Sequence, residues 1–436
     1  MTAFVERAIT DPPPPFWIKR VRLRNYKSIA FCDVSLEPMT VLVGRNGAGK
    51  SNFLDALAFV GELSHRDIRD VINDHGGPDG LLNQAVECDS CEIELTASLN
   101  ASQMAEEPDA KDAPRTEFSY RFRYFPRRRS WSDRVEEEVV GDGTGGVVFR
   151  DGDVRYVGDW EDGASQPNPP PVGYSLITAI RGLFFDFFRQ GLRGLRRYNI
   201  QPDALRPRTR RGPATFLMRD GSNAATVYRY LAGSGSWRYE RLQRYLEAVV
   251  PQLRGVVPRG TEDEDGLDFL WWTGEVTAWP EMPRAGDPRI KTFSAARMSD
   301  GTLRAFGVLL AALQTTELEG DPSVILLEEP EAGLHPTAAR ALVAALDEAA
   351  LRVQVVMTTH SPEVLATPEI TPAKVRVIDA RGGQTVVGPV DEASLEIVAR
   401  KLSTLGDLER ENQLEPDQDD QERQRLLASN GARPHG

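Results

Sequence analysis

Eight residues near the start of the chain, Gly44-Arg45-Asn46-Gly47-Ala48-Gly49-Lys50-Ser51, constrain its fold more than any other stretch. They fit the pattern G-x-x-x-x-G-K-[ST], in which a glycine-rich turn cradles a run of phosphates. The glycines let the backbone curl until successive N–H groups face one anion. Lys50 offers a charge to the outer phosphates and Ser51 a hydroxyl ligand for Mg2+. The helix that opens here, at Asn52, adds its positive dipole end. The flanks agree with the motif: Thr40-Val41-Leu42-Val43 reads as a buried strand and residues 52–60 as a helix. Strand, glycine loop and helix in that order open an α/β fold.

A phosphate loop holds a nucleotide but does not cut it. Cleavage also needs an acid that supports the metal and a group that orients or deprotonates water. Leu326-Leu327-Glu328-Glu329-Pro330 places two carboxylates after an apolar strand, at the edge where parallel sheets take their ligands. Glu328 is expected to hold Mg2+ and Glu329 to polarise the attacking water. His360 closes a second apolar strand, where a neutral imidazole would reach the terminal phosphate or that water. Upstream, Ser299-Asp300-Gly301-Thr302 opens a long apolar helix. Ser299 and Gly301 at such a helix start form a second anion site. The chain already has one of its own, so the simplest occupant is a nucleotide bound to a second copy.

The remaining pattern divides the 436 residues into regions. Residues 1–15 read as a loose lead. Residues 16–158 hold the first half of the nucleotide core and an antiparallel β lobe, its strands showing period-two alternation as in Phe118–Tyr124. Residues 159–290 read as an inserted, mainly helical lobe. Residues 291–405 return to strand–helix alternation, which indicates a parallel sheet. Residues 406–436 read as a polar, poorly ordered tail, and 65–84 as a long surface connection.

Net charge is −13, which argues against a generally basic, nucleic-acid-coating surface. Arginines nonetheless cluster at 121, 123 and 127–129, and again between 193 and 211. Each cluster reads either as a solvated face or as a phosphate-contacting patch. Cys88 and Cys91 form a lone C-x-x-C without a second pair, so they read as ordinary thiols. No apolar run reaches membrane-span length and no signal-peptide pattern opens the chain, which places it in the cytoplasm without a membrane partner.

Taken in order, these motifs resemble the ABC-type ATPase head, and more narrowly the RecF/SMC/OLD-like group of AAA ATPases found in DNA repair and phage-defence loci. The resemblance rests on Val21–Ile29, on the phosphate loop, on Asp220-Gly221-Ser222-Asn223, on Ser299–Thr302, on Glu328-Glu329-Pro330-Glu331-Ala332-Gly333-Leu334-His335-Pro336 and on Thr359-His360-Ser361-Pro362. It implies an α/β P-loop NTPase fold with a mostly parallel core sheet, an antiparallel lobe and an inserted helical lobe. It further implies ATP and Mg2+ as ligands, and an ATP-dependent homodimer in which Ser299 and Gly301 complete the partner's site. Output would pass to DNA or to a separate effector protein such as a nuclease. The alternative is a regulatory or toxin-linked module that binds ATP with negligible hydrolysis. Two departures matter: Ser-Asp-Gly-Thr replaces the transporters' Ser-Gly-Gly-Gln, and Gln84 is only a weak candidate for a glutamine-loop residue.

Overall fold

A computed structural model describes residues 14–100, 115–126, 133–141, 145–150, 153–157, 170–171, 173–180, 183–274, 288–315 and 321–430. Three sheets organise them. The first has six strands in the order Gln384–Gly388, Val375–Arg381, Met39–Val43, Gln354–Thr359, Val324–Glu328 and Leu195–Tyr198. All neighbours are parallel except the edge hairpin formed by the first two. Its three central strands, Met39–Val43, Gln354–Thr359 and Val324–Glu328, are buried almost throughout because both faces are covered. Alternate residues therefore serve two different cores. Val41, Val43, Ile325 and Leu327 pack with helices Asp300–Leu313 and Pro336–Ala349. Leu42 and Leu326 pack on the other side, with helix Lys50–Leu63 and the antiparallel lobe.

That lobe is a seven-stranded antiparallel sheet starting with Phe16–Tyr26, Ile29–Ser35, Cys91–Leu99 and Thr116–Phe125. Its inner face is aromatic: Phe118, Tyr120, Phe122 and Tyr124 are almost fully buried. Its outer face is a ladder of ion pairs. Arg22 reaches Asp33 at 3.1 Å. Arg121 bonds Glu94 at 3.0 Å and Glu138 at 2.8 Å. Arg123 bonds Glu92 at 2.8 Å. Cross-strand opposite charges of this kind neutralise one another, so Arg121 and Arg123 belong to a balanced sheet face. Arginines 127–129 lie outside the described residues. A third, smaller sheet joins Leu253–Gly260, Glu264–Trp272, Ile290–Ser294 and the short Thr209–Arg210.

Several local expectations change. The stretch 65–84 contains helices Ile68–Asp74 and Gly77–Leu81 instead of an open connection. Asp67 caps the first through the Arg69 N–H at 2.8 Å. Strand Leu195–Tyr198, inside the region read as an inserted lobe, is an edge strand of the core sheet. Its arginine pair hides it from periodicity: Arg196 stacks on Phe216 with the guanidinium 4.3 Å from the ring centre, while Arg197 enters the site described below. The sequence pattern also does not predict strand Gln384–Gly388, which pairs antiparallel with Val375–Arg381. It follows Gly382-Gly383, both at positive φ (59° and 79°), the backbone of a tight two-residue hairpin. The polar tail is partly helical, with Leu405–Arg410 and Gln418–Asn430. Gln421 and Gln424 are buried and donate to the Val387 carbonyl at 3.0 and 2.9 Å. Glutamines of a tail that reads as poorly ordered thus cap the outer edge of a sheet strand.

Candidate functional site

Parallel register places the chemistry. Val43 pairs with Thr359 and Thr358 with Glu328, while Leu327 pairs with Tyr198. Gly44, His360, Glu329 and Asn199 therefore leave the sheet at one level, along its C-terminal edge. A cavity of about 370 Å³ opens there. It is lined by Asn46, Gly47, Gly49, Lys50, Ser51 and Asn52 from the loop, and by Glu328, Glu329, Thr358 and His360 from the two neighbouring strand ends. Asn199 and Arg304 complete the wall.

The loop conformation depends on its glycines. Gly44, Gly47 and Gly49 all have φ in the left-handed range. A Cβ on Gly44 would sit 1.9 Å from the Ile378 carbonyl, and one on Gly49 would sit 2.1 Å from Thr385 Oγ1. A Cβ built on Gly47 would meet nothing within 4 Å apart from its chain neighbours, so that side of the loop is open. Thr385 is the loop's anchor. Its hydroxyl donates to the Ala48 carbonyl at 2.7 Å and meets Ser28 Oγ at 2.7 Å. Asn52 donates to that same Ser28 oxygen at 2.7 Å. Arg45 is exposed at the loop's outer side and Ala48 is buried beneath it.

Lys50 is nearly buried, and burial lowers its pKa. Its ammonium donates to the carbonyls of Gly44 (2.7 Å) and Arg45 (3.1 Å) and lies 2.6 Å from His360 Nε2. An ammonium has only donors, so Nε2 accepts and the imidazole proton sits on Nδ1. Burial and the Lys50 charge push the His360 pKa down, with Glu329 opposing. The imidazole is therefore neutral at neutral pH. Glu329 Oε1 is 3.6 Å from His360 Nε2. Glu329 holds φ at 42°, an uncommon value for a non-glycine residue. Its N–H donates to Thr358 Oγ1 at 3.1 Å, and its carbonyl accepts from Ala332 at 3.0 Å. Beneath it, Glu331 is buried and accepts from Thr359 Oγ1. Burial raises the Glu331 pKa.

Glu328 is held from the other side. Arg197 Nε donates to its Oε1 at 2.9 Å and Arg219 to the same oxygen at 3.2 Å. The second oxygen, Oε2, accepts from Ser51 Oγ at 3.4 Å. This donor set suits magnesium, which takes hard oxygens and is held by one or two protein groups, the rest coming from phosphate and water. Arg219 is delivered by the turn Asp220-Gly221-Ser222-Asn223. The Asn199 N–H donates to the Arg219 carbonyl at 2.8 Å, and that of Gln201 to the Asp220 carbonyl at 2.9 Å.

The helix Asp300–Leu313 is capped by Ser299, whose Oγ accepts from the Thr302 N–H at 3.2 Å. Neither Ser299 nor Gly301 lines the cavity of its own chain; Arg304, farther along the same helix, does. Gly301 packs against the turn after Glu329, since a Cβ there would lie 2.7 Å from the Gly333 carbonyl. His335 caps the following helix, its Nδ1 accepting from Thr337 at 3.4 Å. Gln84 donates to the carbonyls of Asp79 (2.6 Å) and Leu82 (3.3 Å) and does not line the cavity. Sequence reasoning gave no site role to Asn199, Arg219 or Arg304, although the last two adjoin the motifs Asp220–Asn223 and Ser299–Thr302, and it placed Arg197 only within the arginine cluster between 193 and 211. The parallel pairing of Leu195–Tyr198 is the signal that locates Arg197 and Asn199.

No described helix is long and apolar enough to cross a membrane. The chain is similar to "DNA replication and repair protein RecF" of Arthrobacter sp. (strain FB24), with 42% identity over 52 residues. The match covers 12% of this chain and 13% of that relative's length. The SMC head domain from Thermotoga maritima aligns with 86% of this chain and 99% of its own, at 13% identity and TM-score 0.44. The Smc head domain bound to the C-terminal domain of ScpA, derived from Pyrococcus furiosus, aligns with 89% of this chain and 100% of its own, at 12% identity and TM-score 0.46. Residues 39–366, running from the phosphate-loop strand past His360, match the family model described as "AAA domain, putative AbiEii toxin, Type IV TA system". The chain belongs to this AAA-domain family, with an α/β P-loop ATPase fold.

Proposed function

We propose that the protein binds ATP with Mg2+, pairs head to tail with a second copy across two nucleotides, and hydrolyses ATP to release the pair. One observation carries this reading: Lys50, Ser51, Glu328, Glu329 and His360, drawn from sequence positions far apart, line a single cavity. Lys50 is bonded to two loop carbonyls and to His360. A triphosphate supplies stronger, charged acceptors for the same ammonium. Movement of the ammonium from His360 to the phosphates frees the lone pair on His360 Nε2, beside the Glu329 carboxylate. Glu329 then accepts a proton from water, and the neutral imidazole orients that water or the terminal phosphate. Ser51 and Glu328 would hold magnesium, which supplies positive charge against the phosphate oxygens when bound.

Ser299 and Gly301 lie away from their own chain's cavity, at a helix start able to meet a partner's nucleotide. In size-exclusion chromatography Glu329→Gln with ATP is expected as a dimer, and Lys50→Ala as a monomer with or without ATP. An equally strong dimer of Lys50→Ala sinks ATP-gated pairing.

Output to DNA, in repair or phage defence, is supported by the short RecF similarity. With the Arg121 and Arg123 charges paired, a DNA surface would have to lie elsewhere. Turnover with duplex, nicked and single-stranded DNA across a salt series tests it, because stimulation through phosphates fades steeply with salt. No response to any DNA directs the output to a protein effector. The family description names a putative toxin, which supports the toxin-linked part of a second reading, a module that binds ATP and scarcely cleaves it. Steady-state turnover against Glu329→Gln as the blank separates the two.

A further inference from the structure

Arg197 is the least expected residue beside the cavity. It lies on edge strand Leu195–Tyr198, opposite Leu326 in the parallel register. Its side chain is 10% exposed. Nε donates to Glu328 Oε1 at 2.9 Å, and Nη1 donates to Asp55 Oδ1 at 2.9 Å. Asp55 belongs to the helix that starts at Lys50, one turn beyond Ser51. It is anchored independently: Tyr26 OH donates to it at 2.8 Å, Lys27 pairs with it, and His75 Nδ1 lies 3.1 Å away. Against the cost of burial, His75 and Lys27 hold the Asp55 carboxyl well below the usual carboxylate range.

We infer that Arg197 is a positioning residue: a rigid fork between Asp55 and Glu328 that fixes Glu328 with Oε1 occupied and Oε2 turned to Ser51. The planar guanidinium makes two directional bonds at once, which a lysine cannot reproduce. Arg197 thereby ties the phosphate-loop helix to the acidic strand end and sets the spacing of the two oxygens offered to a metal. Outer partners of this kind typically change metal affinity by about 10- to 100-fold when removed. Arg219 reaches the same Glu328 oxygen, but its side chain is 58% exposed and has no such anchor among the described residues. Arg197 therefore carries the larger effect.

This inference rests on the reading of Glu328 as the magnesium carboxylate, and the experiment keeps the two apart. A fluorescent ATP analogue is titrated into the full chain, first in EDTA and then across a magnesium series. Wild type, Arg197→Ala, Arg197→Lys, Glu328→Gln and the double variant Arg197→Ala/Glu328→Gln are compared, with thermal melting as a check on folding. Wild-type binding is expected to tighten with magnesium. Arg197→Ala should bind within about twofold of wild type in EDTA yet need roughly tenfold more magnesium, with Arg197→Lys between them. The double variant should need no more magnesium than Glu328→Gln alone, because the fork acts through Glu328. An unchanged magnesium requirement in Arg197→Ala, or losses that add in the double variant, overturns the positioning role. If Glu328→Gln keeps the wild-type requirement, the reading of Glu328 fails, and the inference falls with it. If Arg197→Ala melts early and binds poorly even in EDTA, Arg197 is a structural residue and the inference is wrong.

Discussion

The two large sheets use charge in opposite ways. On the outer face of the antiparallel sheet, Arg22, Arg121 and Arg123 stand opposite Asp33, Glu94, Glu138 and Glu92 on neighbouring strands. Each charge finds its counterion within the sheet. At the C-terminal edge of the parallel sheet, Lys50 is instead held by carbonyls and an imidazole, and Glu329 has one oxygen near that imidazole. Arg304 lines the cavity with no ion pair among the described residues. Strand geometry is the cause. Antiparallel cross-strand pairs place side chains about 5 Å apart along a whole face, where opposite charges can match. Parallel strand ends project loops beyond the last pair, where a charge need not face a cross-strand partner and a ligand can complete the set. Clustered arginines in sequence are thus poor evidence for a phosphate surface until their strand partners are known.

That contrast can be broken by substitution. The largest effect is expected at Glu329→Gln, with turnover down by about 1,000-fold and nucleotide affinity little changed, as for loss of a general base. Turnover within a factor of ten of wild type would remove Glu329 from the chemistry. Lys50→Ala should weaken ATP binding by about 100-fold in a fluorescence titration, the equivalent of one or two charge-assisted hydrogen bonds. Arg304→Ala is expected to weaken ATP binding by roughly tenfold while sparing the melting temperature. Unchanged affinity would make Arg304 a solvated charge and erase the distinction from the ladder.

Smaller effects belong to groups away from the edge. His65 is pushed down to about 4 by burial and by the charges of Arg196 and Arg193. Below pH 6.5 the unfolded chain takes up a proton that the folded His65 refuses, so stability falls as pH drops from about 6.5 to about 4. His65→Gln should flatten the melting temperature across that window, and an unaltered slope would show that His65 carries none of it. The smallest change is expected for Arg121→Ala, below about 1 kcal/mol in denaturant unfolding and absent in turnover, because half-exposed pairs contribute little. A loss of DNA-stimulated turnover in that variant would restore the phosphate-patch reading of this cluster.

The sequence carried the site unevenly. The phosphate loop was legible because its chemistry depends on consecutive residues: Gly44, Gly47 and Gly49 each take a backbone that side chains resist. Glu328, Glu329 and His360 were legible because each stands at or just after the end of an apolar strand. Arg197 and Arg219 were not, because a guanidinium says nothing of its partner until two distant strands pair. The polar tail misled for a related reason. Gln421 and Gln424 are polar by type, yet their amides are used to close a strand edge.

The sequence by itself determined the local pieces, namely the curled loop, its helix, the capped helix starts and the apolar strands, because dihedral preference and periodicity act over a few residues. Only the tertiary structure decided which pieces meet. Register between Met39–Val43, Gln354–Thr359 and Val324–Glu328 brought Lys50 beside His360 and Ser51 beside Glu328. It also decided which arginines are spent on neighbouring carboxylates and which face the cavity. Contacts between residues hundreds of positions apart depend on strand pairing and core packing, which no short window of sequence contains.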